Sequence, residues 1–402
     1  MSARIADEMS GPTLVFLGAA ATHNALLGSF CLSAFTISAA LGGPILGTLL
    51  DRSPTPGKLL SIVLTLYAGG FGATCFAISH GATWIAITTA FAAGLPMSAV
   101  SGGWSSRLKS IIGPSASIKK ASAIDATTFN ISGLIGPAVA GTGAILLGPI
   151  WVAAFVAILL ALAAATALRL PAAEADYTNR RHNVKFASHI AKGFTIIARR
   201  QRLLRATIVS AISYFGIGTL WIACPLIGDE AFGNTGFGGL LMAILSVGAL
   251  AGTAMYAKLR SRHSADSMLF VSTIVLAIAI LTLSSTAHPF FIAAAMLSIG
   301  FADGPQLAAV FAIRNRDSPV SHRGQVFTTG ASVKISSAAL GAFVAGLFAG
   351  HSVATLLLIA GISQIAASFA YITLTLLSGV GGPPKSEERD EILASAEPMR
   401  RN

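Results

Sequence analysis

Apolar runs recur along the whole chain, each ended by a short polar turn. Each is long enough to cross a hydrocarbon core, which takes about 20 residues as a helix. The pattern predicts spans at 1–20, 26–50, 59–79, 83–104, 122–146, 149–169, 204–227, 236–258, 267–286, 289–313, 324–349 and 352–378. Longer polar stretches lie at 170–203 and 379–402, and the second reads as a disordered tail. The expected fold class is an all-α membrane protein of about twelve transmembrane helices. Residues 1–169 form one six-helix bundle, 170–203 a central loop, and 204–378 a second bundle.

Composition agrees with the pattern. Of 402 residues 54% are hydrophobic and only 11% charged, against roughly a quarter charged in a soluble domain. The formal net charge of +11 would suit nucleic acid, but its distribution argues for topology instead. Apart from Arg4 and Lys334, every Lys and Arg falls in alternate connections or the tail, the turns around His23, His80, Pro149, Asp229, His288 and His351 holding none. Basic connections stay on the cytoplasmic side, so both termini are expected there. Cys31, Cys75 and Cys224 sit singly in apolar runs with no disulfide or metal spacing, and the eight histidines show none either.

The chain repeats itself. Gly43 and Gly248, Gly47 and Gly252, Gly136 and Gly341, and Gly141 and Gly346 are each 205 positions apart. One offset shared by separate places, near half the chain length, indicates an internal duplication. An even number of spans separates the copies, so the repeat is parallel. Mapping the seventh span back by this offset starts the first at position −1, so the natural chain is expected to begin somewhat before Met1; N-terminal sequencing decides it. The small residues let helices approach closely, giving sliding faces for a rocking motion if these spans pack across the halves, or static packing if they do not.

The second span ends Gly47-Thr48-Leu49-Leu50-Asp51-Arg52, breaks at Pro54 and Pro56, and resumes after Lys58. This turn, the twelve spans and the duplication resemble the major facilitator superfamily of secondary transporters. Gly47, Asp51 and Arg52 match the family's signature between spans 2 and 3. Pro54 and Thr55 stand where a glycine and an arginine are usual, and Lys58 is the basic residue left in its second part. The resemblance implies a latch, Asp51 facing the amino-terminus of span 11 near Gly324, that holds an outward-open state. An acid paired locally with Arg52 is the alternative. Gly133, Gly136, Pro137 and Gly141 resemble part of a glycine-proline motif of exporters in this family, whereas Ala90 occupies the place of the arginine that many drug exporters carry in span 4. Arg323-Gly324-Gln325-Val326-Phe327-Thr328-Thr329 with Lys334 is similar to a pattern in bacterial, particularly actinobacterial, members of unknown substrate.

Charged residues inside the spans carry the chemistry. Asp303 lies 11 residues from Arg314, and Lys334 lies 11 from Arg323. At about 1.5 Å per residue both sit at matching depth on consecutive helices. A neutralising pair is expected, either structural or separated by a proton or substrate. Gly300, Gly304 and Pro305 point to a locally broken helix there, with Gln306 one turn on. Arg4 reaches Asp7 and Glu8 along the first helix, as a local edge cluster or with one acid carrying a proton at the cavity. Ser122 and Asp125 read as a capping pattern for span 5, and Asn130 could bond substrate or a neighbouring helix. Tyr214, Phe215 and Trp221 give span 7 an aromatic surface, which the family fold places at the cavity.

These observations lead to the expectation of a monomeric, multi-pass transporter in a bacterial inner membrane. It exports a small amphipathic molecule by rocker-switch access, driven by a proton gradient, with no cofactor, metal or nucleic acid. Proton-coupled import is the runner-up, followed by a non-transporting receptor. No Asp-rich metal box, HExxH or Cys-His cluster supports a membrane enzyme.

Overall fold

A computed structural model describes residues 1–22, 25–105, 118–169, 186–259, 264–319 and 323–377. They are all helix and short turn. The helices are α1 (Ser2–Thr22), α2 (Leu26–Arg52), α3 (Pro56–Ser79), α4 (Thr83–Ser105), α5 (Ile118–Leu146), α6 (Pro149–Ala167), α7 (Phe186–Arg199), α8 (Gln201–Phe232), α9 (Phe237–Leu259), α10 (Ala265–Ser284), α11 (Pro289–Asp317), α12 (Arg323–Leu347) and α13 (Val353–Leu377). Twelve of these answer the twelve expected spans. Eight are long and apolar enough to cross a membrane by length and composition, and α2, α4 and α5 contain shorter apolar stretches. In α1 the run is interrupted by Arg4, Asp7 and Glu8. The proposed tail from 379 lies outside the described residues.

Local sequence sets the turns. Pro56 and Pro149 open α3 and α6, where a missing N–H costs nothing. Gly148 and Gly233 take positive φ of 90° and 74°, the second closing α8 with its N–H on the carbonyl of Asp229. Helix α7 was missed in sequence, where 170–203 reads as a polar loop. Its Ile197 is buried with Leu203, Val209 and Val310, so it belongs to the second half. Helix α5 starts at Ile118, which puts Ser122 inside the helix rather than at its cap.

Two bundles result. One core draws on α1–α6, from Ala3 to Ala167. Two others draw on α7–α13, joined only by Val15, Ala25 and Leu32 from the first half. Each bundle contains, at a corresponding place, a helix pair packed backbone to backbone. Gly42 of α2 abuts Leu95 of α4, and Gly94 of α4 abuts Phe35 of α2. In the second half Gly248 abuts Leu297, and Gly300 abuts Leu245 across α9 and α11. The duplication is thus visible as the same tight pair made twice.

The expected break at Gly300–Pro305 does not occur, since α11 runs unbroken from Pro289 to Asp317. Pro305 has no N–H for the carbonyl of Phe301. That carbonyl instead faces Gly252 of α9, close enough that any side chain there would strike it. Close packing, rather than a broken helix, accounts for these residues.

The bundles meet along two seams, α2 with α12 and α5 with α9. Here we call the end carrying the basic turns the basic end and its opposite the far end. On the first seam Gly346 lies against Ser29, the rings of Phe30 and Phe343 stack at 5.1 Å, and Ser332 donates to the carbonyl of Ala40 (3.4 Å). On the second, Gly141 meets Gly236 and Gly239, and Ser246 donates to the carbonyl of Gly133 (3.0 Å). These contacts run from the far end to the middle of the bundle. The glycines therefore divide their work. On α5, residues 133, 137 and 141 share one face toward α9, while Gly136 faces Ile5 and Glu8 of α1. On α12, Gly346 faces α2 and Gly341 faces Phe215 of α8. Gly248 and Gly252 stay inside the second bundle. Of the residues expected to form sliding faces, Gly141 and Gly346 are on seams and Gly136, Gly248, Gly252 and Gly341 are not. The side chains at 43 and 47 are outside the described set.

Candidate substrate and coupling site

The middle of the second bundle gathers the groups that the membrane tolerates least. Asp303 is central in α11, and its buried Oδ1 has no hydrogen-bond partner. Lys334 is central in α12, and its ammonium rests 4.0 Å from the centre of the Tyr214 ring, a cation–π contact. Asp303 and Lys334 feel each other's charge, but no direct ion pair forms between them. The expected contact pair is therefore a looser arrangement, with the phenol of Tyr214 within electrostatic reach of Asp303 and Arg314.

Arg314 is the group that sequence reading missed. Read there as a cytoplasmic loop residue, it lies inside α11 and is only 1% exposed. Its Nε and Nη2 have no partner, and its guanidinium packs over Gly330 of α12, where a Cβ would collide with it. The signal was available in its spacing from Arg316. Two residues turn a helix by about 200°, so the pair cannot share one face of α11: if one lies toward the open side, the other is turned into the bundle. Arg316 lies toward the open side, with its Nη1 2.8 Å from Asp266 Oδ2 and its Nη2 2.7 Å from Asp317. Arg205, also placed in a loop by sequence, pairs with Asp266 and lies over the Tyr371 ring.

One turn from Asp303, Gln306 is 1% exposed and bonded on both sides, its Nε2 donating to Thr273 (2.8 Å) and its Oε1 accepting from Ser213 (3.1 Å). Ser213 also donates to Gln364 Oε1 (2.7 Å), and Gln364 Nε2 returns a bond to the Ser213 carbonyl (2.8 Å). The network joins α8, α10, α11 and α13. Gln306 therefore ties helices together rather than presenting itself to a ligand. Gln364, alone in an apolar run, was the sequence signal for this network. Of the aromatics, Tyr214 reaches the charged groups, Phe215 has its backbone against Gly341, and Trp221 packs on the bundle core.

The first bundle has a smaller polar centre. Tyr67, fully buried on α3, points its hydroxyl at Asp7 Oδ1 (3.0 Å) and Ser10 Oγ (3.0 Å). Arg4 leaves both acids and bonds Thr128 of α5, which replaces the expected local cluster. Glu8 is exposed beside Gly136, near the α5–α9 seam, and has no bonded partner among the described residues. Among the described residues no group of His, Cys, Asp and Glu could hold a metal. The three cysteines are free and buried. Helix α2 runs through Asp51 and Arg52, and Lys58 is exposed in the first turn of α3. The side chains of Asp51, Arg52 and Asn130, and those at 324–325, lie outside the described set, and the latch with them.

Comparison with known proteins gives one consistent result. The chain is 23% identical over 382 residues to the uncharacterized MFS-type transporter y4rN of Sinorhizobium fredii, covering 92% of each. Its fold is similar to the nucleoside transporter NupG (TM-score 0.71, 13% identity, 93% of this chain and 97% of that one). It is equally similar to a D-xylose-proton symporter (TM-score 0.71, 13% identity, 92% and 95%). The sequence pattern of the family described as transmembrane secretion effector matches residues 43–389. The chain belongs to that family, within the major facilitator superfamily, and is a multi-pass membrane transporter of a small molecule rather than an enzyme.

Proposed function

We propose that the protein exports a small molecule in exchange for protons, by rocking its two bundles about a polar centre. The observation that carries this reading is Asp303, a carboxylate in mid-helix with no bonded partner, beside a lysine that leans on Tyr214 instead. A carboxylate left so loosely compensated can take up and release a proton, and each change alters the balance with Lys334. The packed far halves of both seams fit one closed gate of such a cycle. The family's description as a secretion effector supports the outward direction. In this reading the protein works as a monomer in a bacterial inner membrane with both termini cytoplasmic. The basic residues serve topology rather than nucleic acid, and the proton gradient serves in place of a cofactor. Asp51 and Arg52 enter as the latch of the basic end, on sequence alone, and Asp51→Asn is expected to slow transport without loss of expression.

The test is a compound screen in proteoliposomes with an imposed pH gradient of either sign. Export coupling predicts movement of substrate against the proton flux and its loss in Asp303→Asn. Transport indifferent to the gradient would overturn proton coupling, and movement with the protons would establish import.

A further inference from the structure

The polar centre of the second bundle does not balance its own charge. Asp303 supplies one negative charge against two positive ones, Lys334 and Arg314, and Tyr214 is neutral when protonated. At the basic end Arg205 pairs with Asp266, and Arg316 with Asp266 and Asp317, while Asp229 and Glu230 are exposed near the opposite end of α8. Neither Lys334 nor Arg314 has an ion-pair or hydrogen-bond partner among the described residues, and Arg314 Nε and Nη2 are buried without one. We propose that Arg314 and Lys334 form the receiving site for an anionic group of the transported molecule, a carboxylate or phosphate, with Asp303 as the internal anion it displaces. The inference rests on the transporter reading and names its substrate class.

Geometry favours this over a structural role. A buried cation without a counter-ion costs several kcal/mol, and an apolar residue would fill the space beside Gly330 without that cost. The glycine leaves room for the guanidinium, and a Cβ there would push it from its place. The Arg314 guanidinium, from α11, lies against Gly330, which is one helical turn from Lys334 on α12. Arg314 is the nearer to the basic end. An anion entering from that end meets the guanidinium first, whose planar fork suits a carboxylate or phosphate oxygen pair, and then the ammonium. Lys334 resting on Tyr214 is free to turn toward it, because a cation–π contact is weaker than a buried ion pair. A neutral ligand would leave the surplus charge in place, and a cationic one would add to it.

The test uses the purified full-length chain and thermal unfolding with four probes: benzoate, benzamide, benzylamine and inorganic phosphate. A ligand that binds only the folded state raises the unfolding temperature. Benzoate, phosphate or both are expected to do so, and which one acts assigns the anion class; benzamide and benzylamine are expected to have no effect. Lys334→Gln and Arg314→Gln should weaken the anion by about tenfold or more, the loss of one charge-assisted contact. Arg314→Lys should keep part of the affinity and covers the case in which the glutamine variant does not fold. Asp303→Asn should tighten anion binding, because the internal competitor is gone. The proposal is overturned if benzamide equals benzoate, or if Asp303→Asn weakens the anion as the cation variants do. It also falls if neither anion acts on the wild type or on Asp303→Asn at up to about 50 mM, which fills any site of millimolar Kd. Transport of a neutral or cationic compound by a chain that ignores anions would sink this inference alone. A chain that carries nothing in vesicles would sink the transporter reading, whatever the anion data show.

Discussion

The two bundles descend from one duplicated unit, yet their polar centres are built on different terms. In the second, Ser213, Thr273, Gln306 and Gln364 satisfy one another and tie four helices. This frame adjoins charges that form no ion pair among the described residues, Asp303, Arg314 and Lys334, the last resting on the Tyr214 ring. In the first, among the described residues, Asp7 holds one hydroxyl contact and Glu8 has no bonded partner, Arg4 being turned to Thr128 instead. Position 213 repeats position 8 at the 205-residue offset, so a network serine in one half corresponds to a carboxylate in the other that has no bonded partner among the described residues. The difference teaches that the duplication preserved the packing scaffold, the glycine-paired helices α2/α4 and α9/α11, while the chemistry diverged on top of it.

The comparison can be broken at several points. The largest effect is expected from Arg314→Met, whose two consequences have opposite signs. Transport should fall by about tenfold or more, the loss of a charged contact. Meanwhile the unfolding temperature should rise, because an unpaired buried charge costing several kcal/mol is removed. If both fall together, Arg314 is a structural residue and the contrast between frame and charge fails. Next comes Gln364→Leu, which removes both of its bonds to Ser213 and should destabilise by about 1–3 kcal/mol in a denaturation series. Tyr67→Phe in the first bundle removes a single donor and should cost about 0.5–1.5 kcal/mol by the same measurement. The smallest stability effect belongs to Glu8→Gln, within about 0.5 kcal/mol of the parent, because no bonded contact is lost. Its influence should appear only in how the transport rate depends on pH. Should Glu8→Gln destabilise as much as Gln364→Leu, the first bundle would hold a structural pair after all.

Much of the scaffold was legible in sequence because membrane spans announce themselves by length and hydropathy, and because glycines recur at one offset. The twelve spans and their six-plus-six division followed from that, and Asp303 and Lys334 fall at the middles of α11 and α12. What failed was orientation around a helix axis. Arg314 was assigned by its nearness to the basic turn, and the side-chain direction that buries it against Gly330 has no one-dimensional signature beyond its offset from Arg316. Gln306 looked like a ligand for the same reason: depth placed it near Asp303, and only packing shows it bonded to Ser213 and Thr273. The supposed break at Pro305 misread a close-packing device, because the partner that makes the proline harmless, Gly252, lies 53 positions away in sequence. Helix α7 escaped because its surrounding segment is polar, while Ile197 finds its apolar neighbours on other helices.

The α5–α9 seam has a consequence for how the protein can vary. Gly141 meets Gly236 and Gly239 with backbone on both sides. At most contacts a larger residue can be repaired by a smaller one opposite, and the partners drift together. Here neither partner has anything left to give up, so an alanine at 141 has no compensating change across the seam. Suppressors of such a variant are expected to map to residues that let α9 shift as a whole, not to the facing glycines. This stretch is a mutational dead end by geometry: it can be lost in one step and cannot be retuned in two.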